Sequence, residues 1–142
     1  MEMPVMPLKR IIITKADHDR LEELFLSRVA DAFRNKPYLD DLRGELNAAQ
    51  IVDPGDVPAD VITMDSTVRL RDMKAKETET FTLVYPDEAN VVEGKLSVLA
   101  PLGTAILGCR VGDLVRRQVP SGMGRWRVED LLFQPERDSI TA

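Results

Sequence analysis

The sequence predicts an α+β protein in two parts: a short N-terminal antiparallel helical hairpin of coiled-coil type, residues 10–50, and a C-terminal twisted antiparallel sheet with one short helix, residues 59–136. Three observations carry this expectation. Apolar residues recur every three or four positions from Leu21 to Phe33 and again from Leu39 to Ala49, the period of one helix face. Past residue 59 the period falls to two, the alternation of a half-buried strand. Between the two patterns, Pro54, Gly55 and Pro58 stop helix growth and mark a connector.

Residues 1–9 read as a loosely packed lead-in, and Arg10-Ile11-Ile12-Ile13 as a β-branched run that forms either a strand or a staple beside the first helix. Thr14-Lys15-Ala16-Asp17 is an N-cap pattern, a hydroxyl for the orphan amides with a carboxylate three residues on. The helix that follows is expected to run to about Arg34, where Asn35-Lys36-Pro37 breaks it because Pro37 disfavours helical geometry at Lys36. Leu39, Leu42, Leu46 and Ala49 form a heptad-like seam on a second helix, so the tip of the hairpin falls near residues 35–38. Ile51, Val52 and Val57 suggest a connector that is docked.

In the second part, Val61 to Met64 and Thr67 to Arg71 read as strand material around a kink at Asp65-Ser66. Asp72 to Lys76 is a polar turn, and Glu79 to Val84 alternates cleanly. A loop from Asp87 to Gly94 leads to a strand at Lys95 to Leu99. Pro101 is expected to end that ladder, Gly103 to permit a bend, and Ala105-Ile106-Leu107 to make about one buried helical turn closed by Gly108. Val111-Gly112-Asp113 launches a strand from Leu114 to Val119, and Pro120-Ser121-Gly122 turns it into the last strand, Gly124 to Leu131, on which Trp126 packs. Residues from Pro135 onward read as polar and frayed.

Composition restricts the chemistry. The formal net charge is −5 with 30% charged residues, which disfavours strong independent binding to nucleic acid and favours a partner with a basic or mixed surface. No apolar run is long enough to span a membrane and no signal-peptide pattern opens the chain, so a cytoplasmic location is expected. The single cysteine, Cys109, follows Gly108 among apolar residues and reads as an inert core thiol. The single histidine, His18, lies in the first turn of a charged helix and reads as a solvated surface group. No phosphate-binding loop, catalytic constellation, metal site or cofactor site is expected. Two compact acidic pairs remain, Asp40-Asp41 and Asp87-Glu88. The first suits a helix start, where carboxylates complement the dipole.

Ala100-Pro101-Leu102-Gly103-Thr104-Ala105-Ile106-Leu107-Gly108 followed by Val111-Gly112-Asp113 closely resembles the C-terminal domain of the bacterial Gre transcript-cleavage factors. Val61 to Val68 and Thr82 to Asn90 resemble the same family in the same order, and the N-terminal third is similar to its shorter Rnk-type members, named as regulators of nucleoside diphosphate kinase. The resemblance implies an FKBP-like sheet and RNA polymerase as partner. It also implies a docking face at Asp87, Glu88, Leu96, Ser97, Val98 and Pro101, near the polymerase secondary channel, where Gre-type factors would compete. Gre factors carry acidic residues at the tip of a long hairpin that help hold a catalytic metal. Asp40 and Asp41 resemble that tip loosely, on arms of roughly 30 and 20 Å at 1.5 Å per residue. The reading is therefore a non-enzymatic polymerase-binding regulator; a short cleavage-stimulating factor and a regulator acting on nucleoside diphosphate kinase are the alternatives.

Overall fold

The computed structural model describes residues 9–27 and 36–138. It is mixed α+β, as the two periodicities predict. The chain enters through β1 (Ile12–Thr14) and passes directly into α1 (Lys15–Phe25), whose first turn is capped by the Thr14 hydroxyl accepting from the Asp17 amide at 3.3 Å. After α2 (Pro37–Asn47), β2 (Gln50–Val52) pairs in parallel with β1, Ile13 opposite Ile51. The isoleucine run is thus a strand, and the intervening helices belong to the crossover that a parallel pair requires.

The expected first helix is shorter than its periodicity suggested. It stops at Phe25, where the Ser27 hydroxyl and amide both donate to the Leu24 carbonyl and the Leu26 amide is shared between Glu22 and Glu23. A serine that satisfies the terminal carbonyls ends a helix without a proline. The remainder of the expected helix, through residue 34, and residue 35 of the expected tip lie outside the described residues. Leu39, Leu42 and Leu46 are buried, as the seam predicted.

A five-stranded sheet follows, in the order β5-β4-β3-β7-β6, built from β3 (Thr67–Asp72), β4 (Glu77–Val84), β5 (Lys95–Ser97), β6 (Leu114–Val119) and β7 (Gly122–Phe133). The β3–β4, β3–β7 and β6–β7 pairs are antiparallel. One expectation fails at the edge, because β5 runs parallel to β4, with Lys95 opposite Thr82. The chain leaves Val84, turns back through Pro86–Glu88 and Asn90, and restarts level with the body of β4; a hairpin could not reach that register. Val61 to Met64 is likewise no strand. These residues are buried but extended irregularly, with Val61 alone bridged to Arg110 and Asp65 in the left-handed region at φ 65°.

The motif at 101–108 folds as α3 (Pro101–Ile106), a full short helix that begins at the proline. Pro101 opens it because the first helical position needs no N–H. Leu102 to Leu107 are all buried, so α3 plugs the sheet. Gly103 lies against the turn after β5: a β-carbon there would sit 2.0 Å from the Ser97 carbonyl oxygen. Gly108, at φ 83°, then turns the chain so that its amide reaches the Ile62 carbonyl at 2.9 Å and its bare α-carbon abuts Ile11.

Both parts contribute to one apolar cluster, from Ile11, Leu21 and Leu42 to Leu70, Ile106 and Val128. A polar tie reinforces it. Lys9 Nζ donates to the buried Glu45 carboxylate and to the Thr104 carbonyl, both at 3.1 Å, joining α2 to α3. The segment expected to fray is instead docked at its start, as α4 (Pro135–Asp138). The fully buried Gln134 amide donates to the Pro58 and Val61 carbonyls, and Arg137 to those of Ala59 and Leu131.

Gly103→Ala is expected to lower stability by about 2 kcal/mol or more, since backbone rather than a movable side chain blocks the methyl group. Gly55→Ala, where nothing lies within 4 Å, should stay within about 0.5 kcal/mol of the parent. Thermal denaturation of the two variants checks the contrast, and equal effects would contradict the packing account.

Candidate docking face and its anchors

Strand β4 ends buried at Leu83 and Val84, Tyr85 after it is also buried, and the chain then surfaces abruptly. Pro86 starts a 3₁₀ turn, Pro86–Glu88, closed by amides of Glu88 and Ala89 donating to the carbonyls of Tyr85 and Pro86. Asp87 and Glu88 are exposed on it. Helix α1 fixes its base: the Tyr85 hydroxyl donates to Asp17 at 3.1 Å, and the Arg20 guanidinium stacks on the ring, 3.6 Å from its centre. The cap pattern that launches α1 thus also places Asp17 under this turn.

Beside the turn runs β5, the sheet edge. Leu96 is half-buried with its inner side on the core, and Pro101 is half-buried at the start of α3. Ser97 is committed locally, its hydroxyl accepting from the Leu99 amide at 3.0 Å and its carbonyl from Ala100. Val98, expected on the face, is a correction: it has no accessible surface, because its amide bonds to Val84 and its side chain joins the core. Two neighbours that the sequence reading passed over are nearly fully exposed, Val91 at 95% and Val92 at 96%. They crown a turn closed by the mutual backbone hydrogen bonds of Asn90 and Lys95. An apolar pair inside a run of turn residues was the available signal.

Electrostatically this end of the molecule is acidic. Burial first, then the charges of Glu88 and Asp17, hold the Asp65 carboxyl above the ordinary carboxylate range. Asp17 is raised as well, chiefly by burial, although Tyr85 and Arg20 oppose the shift. Burial followed by Asp17 pushes the Tyr85 phenol up.

The second acidic pair lies elsewhere. Asp40, in the first turn of α2, and Asp41, directly after it, are exposed. That turn sits beside β6, with Arg117 5.8 Å from the centre of the Tyr38 ring and Asp41 lining the same groove. Because β5 and β6 are opposite edges of the sheet, the two acidic pairs are not brought together. His18 also departs from its surface reading. Its side chain is only 12% exposed and its Nε2–H donates to the Leu46 carbonyl at 2.8 Å, tying the start of α1 to the end of α2. Cys109 is buried, its thiol 3.2 Å from the Ala105 carbonyl and its pKa pushed up to about 11 by burial. Among the described residues no group of three or more His, Cys, Asp and Glu could hold a metal ion, and no helix is long and apolar enough to cross a membrane.

Comparison with known proteins places this geometry. Residues 57–132 match the family described as "Transcription elongation factor, GreA/GreB, C-term", and residues 9–52 match "Rnk N-terminus". The chain belongs to the Rnk branch of the GreA/GreB family. It is 39% identical over 127 residues to the "Regulator of nucleoside diphosphate kinase" of Escherichia coli K12, covering 89% of this chain and 91% of that one. "Transcription elongation factor GreA" of Dehalococcoides mccartyi is 31% identical over 146 residues, covering 93% and 89%. Among solved structures, a "Prokaryotic transcription elongation factor GreA/GreB from Nitrosomonas europaea" superposes with a TM-score of 0.75 at 39% identity, covering 87% of this chain and all of that one. These Rnk and GreA relatives are named as regulators or transcription factors, not as enzymes.

The raised carboxyls have a definite sign. The folded chain keeps protons at Asp65 and Asp17 that the unfolded chain has released, so both groups oppose folding as pH rises from about 4 through their higher folded values. Asp65→Asn keeps a residue type that tolerates positive φ. It is expected to stabilise the fold at neutral pH, and the gain should vanish as pH falls toward about 4, where the parent carboxyl is protonated. Urea denaturation across that range checks it; an equal gain at both ends would exclude the charge as the cause.

Proposed function

We propose that this protein is a non-enzymatic transcription regulator that docks on RNA polymerase near the secondary channel and competes there with Gre-type factors. The observation that carries the reading is the exposed Asp87–Glu88 turn beside the half-exposed β5 edge, inside the segment that matches the GreA/GreB family. An apolar edge at Leu96 and Pro101 with a carboxylate rim suits a basic helical partner surface, where charge steers encounter and the apolar core supplies contact. Ser97 and Val98 keep that edge in shape from within. The sheet with its α3 plug, an FKBP-like unit from residue 59 to 136 in this reading, serves as a docking platform and does not isomerise prolyl bonds.

Residues 10–50 act in this reading as a short helical hairpin. The contacts His18 to Leu46 and Phe25 to Arg43 run in opposite senses along the two helices, which supports it. Asp40 and Asp41 rest near β6, and this favours a protein that occupies the docking site without stimulating transcript cleavage. Any effect on nucleoside diphosphate kinase then follows through gene expression.

Core polymerase immobilised on resin should retain the parent protein. Asp87→Lys combined with Glu88→Lys should weaken retention by about tenfold or more while leaving the fold intact. Unchanged affinity would remove this face from the proposal. In a backtracked complex the parent should produce little cleavage and should displace a cleaving Gre factor, and Asp40→Asn with Asp41→Asn should change neither result. Robust cleavage lost in that double variant would instead establish the cleavage-factor reading.

A further inference from the structure

The other edge of the sheet has the opposite character. Strand alternation puts Val115, Trp126 and Val128 toward the core, so their neighbours Leu114, Arg116, Arg125 and Arg127 face away from it. The register sets Arg116 directly opposite Arg125 across β6–β7, and Arg71 directly opposite Arg127 across β3–β7. Like charges in directly opposed positions destabilise a sheet. Here two such pairs adjoin in a chain whose net charge is −5. Arg71 has an internal partner, Glu129. Arg116, Arg125 and Arg127 are exposed and form no ion pair among the described residues. Large apolar side chains stand among them, Leu114 at 65% exposure and Met123 at 52%.

We propose that this face docks an acidic protein segment in which carboxylates alternate with apolar side chains. The Arg71–Glu129 contact, in which the guanidinium Nε donates to the carboxylate, shows that an arginine of this face takes a carboxylate. The apolar pair distinguishes the partner from a nucleic acid: Leu114 and Met123 call for apolar side chains between the charges, the arginine–methionine mixture typical of protein interfaces. A single-stranded nucleic acid would instead use aromatic platforms between the cations. Trp126, the one tryptophan, is turned to the core side and packs there. Tyr38, the aromatic that shares a groove with Arg116 and Met123, is half-buried beside Arg117, with the Asp41 carboxylate lining the same groove against a phosphate. This basic face lies toward the edge opposite Asp87 and Glu88, so the molecule can hold two partners of opposite charge.

Fluorescence anisotropy of a labelled peptide alternating glutamate and leucine tests the assignment with the full chain. The parent should bind it, a peptide with serine in place of leucine should bind more weakly, and Arg116→Glu with Arg125→Glu should reduce affinity by about tenfold or more. Since both arginines are exposed, the variant should keep the parent circular dichroism spectrum. If it does not, Arg116→Gln with Arg125→Gln provides the same comparison. Failure of the parent to bind, equal binding by a folded variant, or preference for oligouridylate over the peptide would overturn the proposal. So would a self-association, seen by sedimentation and lost in the variant, that accounts for the charge by a second copy of this chain.

Discussion

The approach of α3 to the Ser97 carbonyl is the contact on which the rest of the structure depends. Only a residue without a side chain fits at Gly103, so the plug descends to backbone contact and Leu102, Ile106 and Leu107 reach the interior. The same descent positions Gly108 against Ile11 and the Thr104 carbonyl against Lys9. Through these two contacts the N-terminal segment is drawn onto the C-terminal sheet. A side chain at position 103 would thus disturb the edge strand and the joint between the parts together.

Charge is distributed in a manner that net charge conceals. The β5 side gathers Asp17, Asp65, Asp87 and Glu88 around an ordered turn, while the β6–β7 side displays arginines in opposed pairs. Each arrangement is unfavourable to the isolated fold: the Asp17 and Asp65 carboxyls are held above their ordinary range on one side, and like charges face each other on the other. Regions that oppose the stability of the free chain are where binding is most readily accommodated.

Much of this was legible from local pattern. The Thr14 cap, the Leu39–Leu42–Leu46 seam, the alternation of β3 and β4, and the buried helix before Gly108 follow from spacing and backbone chemistry. The parts that were not legible depend on partners remote in sequence. Val61 to Met64 has strand composition, but it pairs only through Val61, and apolar content cannot distinguish a buried extended segment from a ladder. His18 looked exposed because its partner, the Leu46 carbonyl, is 28 residues away. Gln134 and Arg137 bind carbonyls on the far connector, so a polar tail was docked without any hydrophobic signal. At the site, the exposure of Asp87 and Glu88 agreed with their sequence reading, whereas Val98 belonged to the core because the parallel register turns it inward. The arginine pairs became visible only once the register of three strands was known.

Hydrogen–deuterium exchange of the full chain, alone and with core RNA polymerase, tests the central claim most directly. The account predicts that polymerase slows exchange in residues 86–97, the acidic turn and the β5 edge, while amides of α2 around Asp40 and Asp41 keep their free rates. Protection confined to α2, with the β5 edge unchanged, would contradict it.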